Sequence, residues 1–372
     1  VVTHGHRHPH IVQAIRDQAD RLDQVIFAGF THEPAEKLAR QLVAITPPGL
    51  DYVFFSDSGS TSVEVALKMA LGFWRNRGEQ RSRILALEGA YHGDTIGGMS
   101  VGERGVFNAP YDPLLFDVER IPFPAAGREQ ATLDAITTAC RSAGIAALIV
   151  EPLILGAGGM LIYPPWVLAE MKRICEAHGV LLIVDEVMTG WGRTGTRFAC
   201  EQADVSPDIA CYSKGLTGGS LPLAVTLCRA DIFDAHYSTD RSKAFFHSSS
   251  YTANPIACAA ACANLEIWQN EPVMERIAAI TQAQAQGLDR FREDRRFRNV
   301  RQIGTIAALD IATDDAGYLA GIGLRLYSDF LSCGLLVRPL GNTIYLMPPY
   351  CSTPDELDRV FDAIDKIVDG IG

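Results

Sequence analysis

The 372 residues contain no apolar run near the roughly 20 that a membrane-spanning helix needs; runs such as Ile145 to Val150 and Val180 to Val184 are only strand-sized. An excess of positive charge is also missing, with 33 lysines and arginines against 44 aspartates and glutamates. With a net charge of −11 the chain offers no basic surface for nucleic-acid phosphates, and small-molecule chemistry is expected instead. The nine cysteines spell no motif. The closest pair, Cys258 and Cys262, lies in an alanine-rich helical run, which excludes a zinc ribbon, a thioredoxin site and a secreted disulfide framework, so reduced thiols and a cytoplasmic protein are expected. Val1-Val2-Thr3-His4-Gly5-His6 shows neither the basic start nor the apolar stretch of a secretory signal, and reads as the interior of a domain that begins further upstream. Internal repeats and low-complexity linkers are absent as well.

What is present is core material. Hydrophobic residues are 48% and charged residues 21%, a balance that argues against disorder. The length exceeds the roughly 250 to 300 residues at which single cores stop growing, so two domains are expected. Short β-branched or aromatic runs alternate with amphipathic stretches, the pattern of an α/β protein with a largely parallel sheet. Strands are expected at Tyr52 to Phe55, Ile84 to Leu87, Ala147 to Val150, Val180 to Val184 and Ala224 to Leu227. The character changes near Trp268. A large domain over residues 31–268 is expected, with a smaller α+β domain over 1–30 and 269–372. The smaller domain should hold a polar helix (Met274 to Arg290), strands around Thr305 to Ile311 and Leu335 to Leu346, and a last helix opened by Thr353, Pro354 and Glu356.

Chemistry is concentrated at strand ends. Val180 to Val184 suits a buried parallel strand, and it delivers Asp185 and Glu186 to the edge where open α/β sheets bind ligands. Helix capping or solvation would explain one such carboxylate equally well. Twenty-nine residues after Asp185 stands Lys214, within Ser213-Lys214-Gly215-Leu216-Thr217-Gly218-Gly219, an amine among small residues that let a ligand approach. Together they suit pyridoxal 5′-phosphate (PLP), with Asp185 facing the ring nitrogen and Lys214 anchoring the aldehyde. The turn at Gly59-Ser60 could hold a phosphate, although Ser60 as a plain helix cap would read the same. Tyr91-His92-Gly93-Asp94 could lay an aromatic ring on a flat cofactor, or simply pack a tyrosine in a loop.

Two other patterns compete. Gly190-Trp191-Gly192-Arg193-Thr194-Gly195 fits GxGxxG, with Asp208 as an acidic partner 18 residues beyond the first glycine, but a dinucleotide fingerprint opens a helix and residues 196–207 lack a helical face. A nicotinamide oxidoreductase therefore stands as a remote alternative. His4, His6, His8 and His10 alternate through an expected loop with no carboxylate or cysteine cluster, and no metal is expected.

In this order, Asp-Glu-Val at 185 to 187, Gly-Trp-Gly-Arg-Thr-Gly at 190 to 195 and Ser-Lys-Gly at 213 to 215 resemble the class III aminotransferases of PLP fold type I. The likeness extends through His4-Gly5-His6, Thr31-His32, Asp57 to Ser60, Tyr91 to Thr95, Gly156 to Met160 and Asn254-Pro255. Thr217-Gly218-Gly219 and Tyr345-Leu346-Met347-Pro348-Pro349-Tyr350 narrow it to the branch that aminates 8-amino-7-oxononanoate in biotin synthesis with adenosylmethionine. Another ω-amino acid or diamine aminotransferase of the class is the alternative.

The resemblance implies a mostly parallel seven-stranded sheet flanked by helices, a smaller domain, and a homodimer with shared active sites. It implies PLP held by Lys214, Asp185, Tyr91, His92, Gly59 and Ser60, with Ser250 contributed by the partner subunit. Lys214, Asp185 and Tyr91 would serve the reaction, and Arg338 would clamp the substrate carboxylate. Arg193, Asp94, Tyr345 and Gly219 would line the substrate pocket. Ser248-Ser249-Ser250 departs from the Gly-Pro-Thr often found there.

Overall fold

The computed structural model describes residues 1–370. In chain order its strands are β1 (Tyr52–Ser56), β2 (Arg83–Leu87), β3 (Glu119–Ile121), β4 (Ile145–Val150), β5 (Ile154–Leu155), β6 (Leu161–Ile162), β7 (Leu181–Asp185), β8 (Ile209–Tyr212), β9 (Ala224–Cys228), β10 (Phe297–Ile303), β11 (Ile306–Ile311) and β12 (Thr343–Leu346). Seven of them form one sheet in the order β1-β9-β8-β7-β4-β2-β3. β9 runs antiparallel to both neighbours, and the remaining pairs are parallel.

Every residue of β4 and β7 is buried, as their unbroken apolar runs require when helices cover both faces. In β7 the side chains alternate cleanly. Leu182 and Val184 join the core layer that includes helices Glu129–Arg141 and Pro165–His178, while Leu181 and Ile183 join the layer that includes helix Gly59–Asn76. Asp185 has the parity of Leu181 and Ile183, which directs it to the side where helix Gly59–Asn76 begins.

β10, β11 and β12 make a separate antiparallel sheet. Helices Val273–Asp289 and Pro354–Asp369 belong to the same part of the chain, and the second starts with the expected capping box between Thr353 and Glu356. The expected strand over Leu335 to Leu346 shrinks to Thr343–Leu346, because Pro339 and Gly341 break the ladder ahead of it. β10 and helix Ile322–Ser332 were not foreseen; the charged run Arg298-Asn299-Val300-Arg301 masked the strand. No helix among the described residues is long and apolar enough to cross a membrane.

The N-terminal histidines anchor to one helix and its end. His10 lies inside helix Pro9–Arg21, not in a loop, and donates to Glu266, while His8 donates to Glu271. His4 is buried edge-on against Trp268 and Tyr350, and its Nε2 donates to Asn264 Oδ1 at 2.9 Å. Burial lowers the His4 pKa from 6.5 to about 4, against the opposing pull of the Asn264 hydrogen bond. The folded state therefore keeps His4 neutral where the unfolded chain would protonate it, and stability falls as pH drops through that window. Urea unfolding should show a loss of about 2 kcal/mol from this residue between pH 7 and pH 5. His4→Gln should flatten that part of the acid slope; an unchanged slope would refute the assignment.

Candidate active site

Four strands deliver side chains to one edge of the large sheet. Asp185 ends β7, Glu151 follows β4, Tyr91 and His92 follow β2, and Lys214 follows β8. Asp185 is buried, with one oxygen accepting from His92 Nδ1 at 2.8 Å and the other from the Val187 N–H at 3.1 Å. His92 is also buried, and its Nε2 has no partner among the described residues.

Lys214 opens a 3-10 helix, Lys214–Thr217, with φ of 43°, a left-handed conformation that a lysine adopts only when its surroundings impose it. Those surroundings are specific. The Gly219 N–H donates to the Lys214 carbonyl at 3.0 Å, and the buried Asn264 amide donates to the carbonyls of Gly215 and Leu216, each at 3.0 Å. The Lys214 side chain is accessible to solvent, yet protein surrounds it closely enough that desolvation lowers its pKa. That combination describes an amine on the floor of a narrow recess. Asp185 and Glu151 pull the pKa back up, and the amine makes no hydrogen bond among the described residues.

The Gly59-Ser60 turn sits beside this recess. Helix Gly59–Asn76 is capped by Ser58, in a capping box with Thr61, and not by Ser60 as a plain cap would have it. Ser58 satisfies the N–H groups of Thr61 and Ser62, so those of Gly59 and Ser60 are the ones left open at the positive end of the helix. Close packing fixes where they point. A Cβ on Gly59 would lie 2.7 Å from Val187 Cγ1, and one on Gly93 would lie 2.1 Å from Ser60 Oγ. Helix start, Tyr91 loop and the end of β7 are therefore one packed unit, and open N–H donors, a fixed carboxylate and an unpaired amine are what a phosphate-bearing pyridine aldehyde needs.

Tyr91 is 42% exposed; its N–H donates to Glu151 at 3.0 Å and its hydroxyl to Asp94 at 2.9 Å. Tyr345 is half-buried on β12. Its phenol feels the Arg338 guanidinium, which is exposed and unpaired among the described residues. Tyr318 acts on both Tyr91 and Tyr345 and meets Phe107 edge-on at 4.8 Å, so aromatic side chains are gathered in this part of the structure.

Other expected residues lie differently. Arg193 is buried and donates to the carbonyls of Pro348 at 2.5 Å and Val2 at 2.9 Å, with its guanidinium over the Tyr350 ring. It is thereby committed to joining chain segments. Gly219 lies beneath Val1 and Val2. Ser250 is exposed, and its neighbour Ser249 donates to Asp57 of the same chain. Gly190 to Gly195 opens onto turns and a short 3-10 helix, Ala199–Ala203, and Asp208 is occupied by Lys172, Arg229 and the Leu182 N–H. A dinucleotide site has neither its helix nor a free acid.

Glu151 and Asn264 were missed. Glu151 carried the same signal as Asp185, a carboxylate straight after a wholly apolar strand, whereas Asn264 lies within an alanine-rich helix and gave none.

Residues 1–368 match the family described as aminotransferase class-III. Among curated relatives, the adenosylmethionine-8-amino-7-oxononanoate aminotransferase of Synechococcus elongatus is 49% identical, over 99% of this chain and 88% of that protein. The enzyme of the same name from Geobacter sulfurreducens is 37% identical, over 98% and 85%. Among solved structures, that of the enzyme of this name from Methanocaldococcus jannaschii superposes with a TM-score of 0.94 at 33% identity, covering 99% of this chain and 87% of that one. A PLP-bound amine transaminase from an uncultivated Pseudomonas species superposes at 0.90 and 34% identity, covering 99% and 88%. The chain belongs to the class-III aminotransferase family.

Proposed function

We propose that this protein is a PLP-dependent transaminase that aminates 8-amino-7-oxononanoate, with S-adenosylmethionine as donor, in biotin synthesis. The observation that carries this is the Lys214 amine, accessible and unpaired, in one recess with the buried, doubly hydrogen-bonded Asp185. The relatives from Synechococcus and Geobacter, which bear that substrate pair in their names, match nearly the whole chain.

PLP, when bound, supplies an aldehyde that condenses with amines and a ring that withdraws electrons from the neighbouring carbon. Lys214 and Asp185 would hold it, with the Gly59 and Ser60 N–H groups at the phosphate and Tyr91 against a ring face. Asp185, fixed by His92 and Val187, would stand opposite the ring nitrogen and favour its protonated form. Lys214 Nζ, its pKa lowered by burial, is poised to take a proton from the substrate carbon and return it. Arg338 offers an unpaired planar guanidinium to the substrate carboxylate beside Tyr345.

The proposal includes a cytoplasmic homodimer. Ser250 lies between Phe246 and Tyr251, which expose 69% and 63% of their surfaces, and burial of these rings against a second copy would bring Ser250 towards the partner's phosphate site.

Lys214→Ala should abolish turnover and the visible absorption of the holoenzyme. Transamination retained in that variant would sink the proposal. Arg338→Gln should raise the acceptor KM about 100-fold with a smaller change in kcat, because a charge-assisted pair is lost. An acceptor esterified at its carboxylate should be poor with the wild type and lose nothing further with Arg338→Gln; a further loss would show that the guanidinium acts elsewhere. Activity with other amines and keto acids but none with 8-amino-7-oxononanoate would move the protein to another branch of the family.

A further inference from the structure

Glu151 is a buried ionisable group that the proposed chemistry leaves unused. Its Oε1 accepts from the Tyr91 N–H and its Oε2 from the Gly156 N–H, each at 3.0 Å, and its own carbonyl accepts from the Tyr163 hydroxyl at 2.9 Å. The charged and titratable groups around it come from every neighbouring strand end: His92 after β2, Asp185 on β7, Lys214 after β8 and Tyr163 after β6. Met188 closes the side towards Gly156.

We infer that Glu151 is a positioning residue of the cofactor pocket, holding the Tyr91 backbone in place and supplying a second negative charge beneath Lys214. This rests on the proposal that the pocket takes PLP. Two N–H donors on two separate oxygens suit a carboxylate. An amide could accept only one of them and would turn its own NH2 group against the other. A charge is costly to bury, so its placement calls for an electrostatic reason, and Lys214 and His92 supply one. Burial first, and Asp185 with it, push the Glu151 carboxyl up to about 7, while His92 and the two N–H groups hold it from rising further. Glu151 thus gains its charge near neutrality, at the same edge where Lys214 must shed a proton to act.

The test is Glu151→Gln, read by PLP uptake of the apoprotein and by the pH titration of the visible band of the holoenzyme. Affinity for PLP should fall about tenfold through loss of a buried charge-assisted hydrogen bond. The titration midpoint should move down by about half a pH unit, because a negative charge that favours the protonated form is gone. A residue of purely structural importance would not move that midpoint. Wild-type uptake and an unmoved midpoint in a folded Glu151→Gln variant would overturn the inference alone. Failure of the wild-type apoprotein to take up PLP would overturn the proposed function, and this inference with it. If Glu151→Gln does not fold, Glu151→Asp carries the test: it keeps the charge and retracts the carboxylate, so weaker PLP uptake with an unmoved midpoint supports the role, and uptake equal to wild type removes it.

Discussion

A carboxylate and an amine that share a recess without neutralising each other must be anchored unequally, and the parallel pairing of β7 with β8 arranges this. Asp185 ends β7 opposite Cys211, and Lys214 stands three residues beyond Cys211, so both side chains leave adjacent strand ends. Both Asp185 oxygens are occupied, by the His92 ring and the Val187 N–H. The Lys214 amine has no such partner among the described residues; only backbone is fixed, the Lys214 carbonyl by the Gly219 N–H and the next two carbonyls by Asn264. The anion is therefore rigid and the cation free to swing. A direct ion pair between them would have held the amine protonated, whereas attraction through space only offsets part of what burial removes.

The rest of the recess depends on how little room separates its parts. Helix Gly59–Asn76 begins against Val187, two residues past Asp185, and the Tyr91 loop begins against Ser60. Any side chain larger than hydrogen at Gly59 or Gly93 would drive these pieces apart. Close packing here sets the direction of the open N–H groups relative to the carboxylate, something that neither the helix nor the strand could set alone. The N-terminal residues extend the same economy: Thr3 donates to Gly218 and accepts from Tyr350, and Arg193 ties Val2 to Pro348. The loop that carries Lys214 is thus braced from the chain's first residues and from near its end.

Much of this was legible because a strand buried on both faces leaves an unmistakable sequence signature. Ile145 to Val150 and Val180 to Val184 could be little else, and the residue directly after each run lies at the ligand edge; that rule yielded Asp185 and, applied evenly, yields Glu151. Lys214 stood out because lysine rarely sits among glycines. The misses share a cause. Asn264 acts through a tertiary contact with a loop about 50 residues away, and no local period records such a contact. β10 carries exposed Arg298 and Asn299 and a partly buried Arg301, so its pattern reads as polar. Arg193 sits in a motif that resembles a binding loop, and only the fold reveals that two backbone carbonyls engage its guanidinium.

The distribution of charge also bears on what can bind. Lys214 responds to Asp185, Glu151 and Arg193. The field of Arg338 is felt at Tyr345, on the strand of the smaller sheet. Arg338, the proposed carboxylate clamp, therefore shares its surroundings with the Tyr345 phenol and with Tyr318, which also acts on Tyr91 and meets Phe107 edge-on. Aromatic side chains of this kind suit a molecule with an alkyl chain between its carboxylate and its carbonyl, because burying that chain against the rings is favourable. The acceptor proposed for this site, 8-amino-7-oxononanoate, is an oxo acid of that form.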